Sequence, residues 1–329
     1  MANRDNGIST IPYSFFNADN MKHDVITPEQ AHGILNFHIE KVPVSRPVAG
    51  GFERVPDQYC LVRKDNDKDD GVVVGLGCVG DQFDVAAQPS DVLDFFLENI
   101  MPEVPELKME TVASVHNGAT TFVNFHYGDG YEFANDSSPQ FTNILFINPL
   151  TRGRLSLLSH TVRVICQNTL RRARQTGTGF TINHSSRAEF YVKAALDAIG
   201  IQLKQASELK EVCIKLDKML ITEKNIKTIL DKVYPVKKTK KGEDSTRMIN
   251  IRNDVMEQFE SDKSFKAKTA WAFLNAMTYK QEHPKMTERR NPMAIGADNL
   301  FGGRAEMKAK MLAEVINAVG IKAPSFQYA

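Results

Sequence analysis

Asn117-Gly118 sits between two runs of alternating apolar and polar residues, Met109–His116 and Thr120–Tyr127. Asn and Gly both tolerate the left-handed backbone that a tight turn between two strands requires, so this pair is a strong short-range signal for a hairpin. A chain built on such a hairpin buries one face of an antiparallel sheet, which restricts what can precede and follow it. Further strand segments fit the same scheme. Ile39–Val44 and Gln58–Arg63 are joined through Gly50-Gly51, and Thr142–Asn148 and Arg154–Leu158 turn at Pro149–Gly153. Val72–Val74 and Gln82–Ala86 are strand-like and flank a glycine-rich bend.

Helix signals surround these strands. Thr27-Pro-Glu-Gln30 is a capping box with proline at the first helical position, and it predicts a short helix to about Phe37. Ser90–Ile100 reads as a helix starting at a serine cap. Ser159–Arg174 places Val162, Ile165, Cys166, Leu170 and Ala173 on one side at helical spacing, with Arg163, Gln167, Arg171 and Arg174 on the other. That predicts an amphipathic helix with a guanidinium-rich face. Asn168 and Thr169 are mediocre helix formers and would need a buried hydrogen bond or a ligand in compensation.

Phe180–Asn183 reads as one more strand. Ser186 and Glu189 form a capping box for a helix ending at Gly200, and Leu203–Leu220 reads as a long helix. Thr222 caps a helix ending before Pro235. Arg247–Phe259 carries Met248, Ile251, Val255 and Phe259 on one stripe. Phe265–Gln281 holds Trp271, with Asn275 one turn on, and stops before Pro284. Asn291–Gly303 is glycine-rich, and Arg304–Val319 is a last helix closed by Gly320. The expected fold class is α+β: an antiparallel β-sheet core followed by a long amphipathic helix, with a mainly helical C-terminal part. The expected division is a flexible arm over 1–26, an α+β core over 27–200 and a helical region over 201–329 with a basic loop at 235–246.

Composition excludes little by itself. The 329 residues are 42% hydrophobic and 25% charged, with a net charge of +1, so only the distribution of charge is informative. Between Asp136 and Glu189 there is no acidic residue. The same interval holds Arg152, Arg154, Arg163, Arg171, Arg172, Arg174 and Arg187. Two readings follow: a face that pairs with the acidic stretch Asp57–Asp136, or a face that binds phosphates. Lys237 and Lys238 begin a second basic run that adds phosphate contacts if it lies nearby.

The four cysteines, Cys60, Cys78, Cys166 and Cys213, form no CxxC pair, which fits reduced thiols in a cytosolic protein and no zinc site. The polar N-terminus lacks a signal-peptide core, and no apolar run reaches the length of a membrane span. Gly75-Leu-Gly77-Cys-Val-Gly80 satisfies GxGxxG. A dinucleotide site also needs a helix N-terminus aimed at the pyrophosphate, and Asp81, Phe83 and Val85 continue as a strand while Pro89 delays any helix, so a strand–turn–strand bend is expected. Asp65–Gly71 resembles half a calcium loop but has Asp70 and Leu76 where glycine and a bidentate glutamate belong. His126, His160 and His184 show no metal-ligand spacing. No cofactor, metal or catalytic group is expected.

Val162-Arg163-Val-Ile-Cys166-Gln167-Asn168-Thr169-Leu170 resembles the phage/plasmid-like proteins of domain-of-unknown-function family 932. Cys166, Gln167, Asn168 and Thr169 are the most specific part of that resemblance. Gly77-Cys-Val-Gly80-Asp-Gln-Phe83, Thr111–Gly118, Thr269–Ala276 and Gly302–Lys308 are similar to other segments of the family, so the likeness spans roughly residues 27–319. It implies a phage, prophage or plasmid setting, and hence the cytoplasm of a bacterial host, but no secure activity. The strand order is also similar to single-strand annealing proteins of the Rad-fifty-two type, which implies a basic groove for a sugar–phosphate backbone and ring assembly. Arg152, Arg154, Arg163, Arg171, Arg172 and Arg174, with Lys237 and Lys238, are the expected contacts to single-stranded DNA. The leading expectation is a non-enzymatic DNA-binding and annealing protein that forms a homo-oligomeric ring or filament and has no membrane partner. The rival from another class is an oligomeric phage interaction or scaffolding protein without nucleic-acid binding. An enzyme using Gly75–Gly80 for a nucleotide is a third reading.

Overall fold

The structure is a computed structural model of the chain. It describes residues 5–9, 26–65, 74–81, 83, 88–151, 155–163, 168–170, 181–182, 192–238, 244–283 and 292–321. The architecture is α+β, with antiparallel sheets and helices gathered in the C-terminal part. The chain divides into two compact units. The first comprises residues 1–128, 144–158 and 179–202; the second comprises 129–143, 159–178 and 203–329.

The first unit opens with β1 (Asn6–Ser9), which pairs antiparallel with a later strand, so this part of the expected arm belongs to a sheet. Helix α1 (Pro28–Ile34) forms as its sequence requires. The Thr27 hydroxyl accepts from the Gln30 N–H at 3.3 Å, and the Gln30 side chain accepts from the Thr27 N–H at 3.0 Å. Strands β2 (Phe37–Val48), β3 (Gly51–Asp65) and β4 (Val74–Gly80) make a three-stranded sheet in that order, with β2 and β3 turning at Gly50. Pro43 and Pro56 fall where the β2–β3 register shifts, a place that tolerates a residue unable to donate to a ladder.

Two expectations fail in this region. The glycine-rich segment is neither a nucleotide loop nor a bend between strands: β4 runs straight through Gly75–Gly80, paired with Gln58–Leu61 and Val62 of β3. Gly77 (φ +146) lets Leu76 bulge between the positions facing Leu61 and Val62. Pro89 does not delay the next helix but starts it. Helix α2 (Pro89–Phe95) has Gln88, not Ser90, at its N-cap, and continues into a π turn at Phe96–Ile100. Gln88 instead clasps β2, accepting from the Ile39 N–H and donating to its carbonyl.

Strands β5 (Leu107–Val115) and β6 (Thr120–Tyr131) form the hairpin expected around Asn117-Gly118, with Asn117 at φ 60 and Gly118 at φ 102. They join β7 (Gln140–Pro149), β8 (Leu155–Arg163), β9 (Asn168–Leu170) and β10 (Thr181–Ile182). The seven-stranded sheet has the order β1-β5-β6-β7-β8-β10, with β9 also on β8. In the first unit Phe96 stacks on Phe125 at 5.2 Å and packs on Phe146 at 4.6 Å, alongside buried Leu93, Val112 and Phe122.

The expected helix over Ser159–Arg174 is the main correction. Ser159–Arg163 extends β8, and β9 pairs back onto it, with Thr161 opposite Leu170 and Arg163 opposite Asn168. Thr161 and Val162 are β-branched, and such side chains lose χ1 freedom in a helix but suit a pleated strand. Asn168 and Thr169 lie in strand β9, and residues 164–167 and 171–174 of the expected helix lie outside the described residues. The long amphipathic helix comes later, as α3 (Val192–Lys218). It runs through Gly200, where the sequence suggested an end, and buries Ala195, Ile199, Gln202, Ala206, Leu209, Cys213 and Leu216 at three- and four-residue intervals.

In the second unit, α4 (Glu223–Val233) starts at Thr222, whose hydroxyl accepts from the Asn225 N–H. Then follow α5 (Thr246–Ser261), α6 (Ala270–Glu282), α7 (Pro292–Phe301) and α8 (Gly303–Val319), the last closed by Gly320 at φ 72. The glycine-rich segment before Gly303 is therefore helical over α7. The core of this unit gathers Leu209, Val212, Leu216, Ile229, Val255, Phe259, Trp271, Phe273, Met277, Met311 and Val315. Among the described residues, no helix is long and apolar enough to cross a membrane.

Candidate nucleic-acid interface

Strands β8, β9 and β10 flank in sequence the segments that carry the expected basic face. β9 pairs antiparallel with Thr161–Arg163, and β10 pairs antiparallel with Leu155–Ser156. Residues 171–180, between β9 and β10 in the sequence, lie outside the described residues. Arg163 is the last residue of β8. Arg152, Arg154, Arg171, Arg172, Arg174, Cys166 and Gln167 lie outside the described residues, as do His184 and the capping box at Ser186. Asn168 and Thr169 belong to β9.

Lys237 and Lys238 follow α4. Tyr234 ends that helix, and its carbonyl and that of Leu230 both accept from Arg252. Lys238 is exposed and forms an ion pair with Asp244 at 2.9 Å, closing the loop on itself. An exposed pair of this kind is worth little in water and yields readily to a stronger anion.

The rival reading needs the acidic stretch 57–136 as partner for the arginines. Several of its carboxylates have taken other partners. Asp65 accepts from Arg63 at 2.6 Å, with both side chains buried. Glu110 sits at a bulge in β5 and accepts from Asn124 at 2.7 Å. Asp136 accepts from the Trp271 indole N–H at 2.8 Å, from Gln140 at 3.2 Å and from the Ser138 N–H at 3.0 Å. That bond gives Trp271 and the Asp136 turn a shared structural role in the second unit, and Asn275 donates to the Trp271 carbonyl one turn back.

Sequence reasoning missed three polar centres. Arg63 lies over the Phe37 ring at 3.8 Å and reaches Ser114 and the Asn117 carbonyl, so this guanidinium is committed to the first unit's interior. Asp217 on α3 accepts from the Asn135 N–H at 3.0 Å and from its side chain. Burial pushes its carboxyl pKa up, and the nearby charge of Asp136 adds to that, against the lowering effect of the Asn135 bonds. Lys308 on α8 pairs with Glu282 on α6, both almost fully buried. Nothing in local spacing signals these, because each pair joins residues distant in sequence.

The remaining motifs place simply. Within the stretch Asp65–Gly71 that resembles half a calcium loop, Asp65 is engaged by Arg63 and residues 66–73 lie outside the described residues. His126 bonds the Gly128 carbonyl, and His160 is buried on β8. Among the described residues, no cluster of three or more His, Cys, Asp or Glu could hold a metal ion.

Comparison with curated proteins and with solved structures gives no match. A family's sequence model does match, over residues 75–300, from strand β4 to the end of helix α7, and so over most of the chain. Of the segments that carried the resemblance, Gly77–Phe83, Thr111–Gly118, Val162–Leu170 and Thr269–Ala276 fall inside that match, and Gly302–Lys308 lies beyond it. The chain belongs to the family described as Domain of unknown function (DUF932).

Proposed function

We propose that this protein is a phage- or plasmid-type single-stranded DNA binding and strand-annealing protein, acting without catalysis in the cytoplasm of a bacterial host. One observation carries the reading. The interval between Asp136 and Glu189 has no acidic residue and holds Arg152, Arg154, Arg163, Arg171, Arg172 and Arg174. Guanidiniums clustered with no local carboxylate repel one another, and a phosphate backbone relieves that repulsion while releasing its own counterions. Lys237 and Lys238 would add further contacts. Such binding is tolerant of sequence, and subunits assembled as a ring or filament would hold the strand extended for pairing.

The test is a gel-shift and strand-annealing assay with complementary oligonucleotides at low and high salt. The expected result is annealing that falls steeply with salt and is lost in Arg171→Ala/Arg174→Ala while the native mass of the protein is unchanged. Undiminished binding by that variant would overturn the assignment of these arginines, and no binding by the wild type would overturn the function.

A second reading, an assembly or scaffolding protein without nucleic-acid binding, has one observation in its favour. The tip of the β2–β3 hairpin exposes Phe52 (80%) and Val48 (42%), the kind of apolar surface that partners cover. Assembly that depends on Phe52, with no oligonucleotide bound at low salt, would favour it.

A further inference from the structure

Cys60 on β3 and Cys78 on β4 are direct partners across the antiparallel ladder. Residues paired in this way have Cα atoms ~4.5–5.5 Å apart, inside the window a disulfide bridges, ~4.4–6.8 Å. Their flanks leave room for it. A Cβ built on Gly75 would stand 3.8 Å from the Cys60 Sγ, and glycine also occupies positions 77 and 80. The Leu76 bulge beside the pair gives β4 local freedom to adjust. β4 ends the order of its sheet, and Cys78 is exposed while Cys60 is half-buried. The thiols already feel each other: burial chiefly, and then Cys78, push the Cys60 pKa up.

We infer that Cys60 and Cys78 form an oxidisable cross-strand dithiol, a modification site that small-molecule disulfides such as glutathione disulfide close into an intramolecular bridge. The exposed Cys78 loses its proton and attacks one sulfur of glutathione disulfide. A mixed disulfide forms, and the departing glutathione thiolate takes up a proton. Cys60 then loses its proton and attacks the Cys78 sulfur. The Cys60–Cys78 bond forms, and the second glutathione leaves as its thiol. Two electrons pass from the protein to one glutathione disulfide, and no further reagent is needed. The order follows from exposure: the accessible sulfur is attacked from solvent, and the half-buried one resolves. The remaining described cysteine, Cys213, is buried, with its thiol pKa pushed up by that burial, and does not compete.

The reduced full-length protein is incubated with glutathione disulfide, quenched with acid, alkylated and digested, and the peptides are mapped by mass. The expected result is a peptide pair joined through Cys60 and Cys78, short by two hydrogens, with little retained glutathione. Cys60→Ser should instead keep glutathione on Cys78, because nothing is opposite to displace it. Cys78→Ser should yield no bridge and slow modification of Cys60. Glutathione persisting on wild-type Cys78 without the bridge, or a bridge made to Cys166, would overturn the inference. The wild-type map decides the matter even where a serine variant fails to fold.

Discussion

Replacing Lys308 with methionine removes the charge from a buried pair while keeping an unbranched stem of similar length. The side chains of Lys308 and Glu282 are 1% and 2% exposed, so the carboxylate loses this partner where water has little access. Breaking a buried pair from one side costs about 3–5 kcal/mol, a large share of the roughly 5–15 kcal/mol that holds a typical domain folded. The double variant Glu282→Leu/Lys308→Met removes both charges of the pair and should be more stable than the single variant, since a buried ion pair and a well-packed apolar pair are often close in stability. Arg304, one turn before Lys308, still donates to the Gln281 carbonyl and pairs with Asp298, so α6, α7 and α8 remain tied in both variants. Urea unfolding followed by the fluorescence of Trp271, the only tryptophan and buried in the same helix as Glu282, reads the change. A single variant costing less than about 1 kcal/mol, or a double variant no more stable than the single, would refute this account of the pair.

Two further perturbations test other parts of the fold. Gly118→Ala places a Cβ 2.9 Å from the Arg63 Cδ and 3.1 Å from Phe37 at a φ of +102, so it should lower the melting temperature and disturb the Arg63–Asp65 pair; an unchanged melting curve would show that the hairpin turn is not under this constraint. Asp217 has a raised folded-state pKa, so its charge weighs against folding at neutral pH, and that penalty lifts as pH falls through the folded value toward the ordinary carboxylate range. In thermal melts across that range, the difference between Asp217→Asn and wild type should move in favour of wild type as pH falls; the opposite trend would place the Asp217 pKa on the other side of its ordinary value.

Local rules carried the sequence reading furthest where the signal is itself local. The Thr27 and Thr222 caps, the Asn117-Gly118 turn and the Gly320 stop each depend on a few neighbouring residues, and each stands where the sequence puts it. The reading fails at Ser159–Arg163 and Asn168–Leu170, where a three- and four-residue apolar spacing is weighed above β-branching. Asn168 and Thr169, poor residues for a helix interior, were the warning, and strand β9 resolves it. At Gly75–Gly80, glycines that suggest a turn serve a bulged edge strand. Cys60 and Cys78 show no motif because their proximity arises across a ladder, eighteen residues apart in sequence. The Asp136–Trp271 bond and the Lys308–Glu282 pair are invisible for the same reason. The charge of the arginine-rich segment is evident in the sequence alone.

The central claim is that the arginines between β9 and β10 engage a polyanion. The most direct measurement is the affinity for a labelled single-stranded oligonucleotide across a salt series, for the wild type and for Arg171→Ala/Arg172→Ala/Arg174→Ala. Each phosphate neutralised contributes about 0.7 to the slope of log affinity against log salt. Losing three contacts should therefore weaken low-salt binding strongly and flatten that slope by about 2. A triple variant with the affinity and slope of the wild type would contradict the claim, as would a wild type that binds no oligonucleotide at low salt.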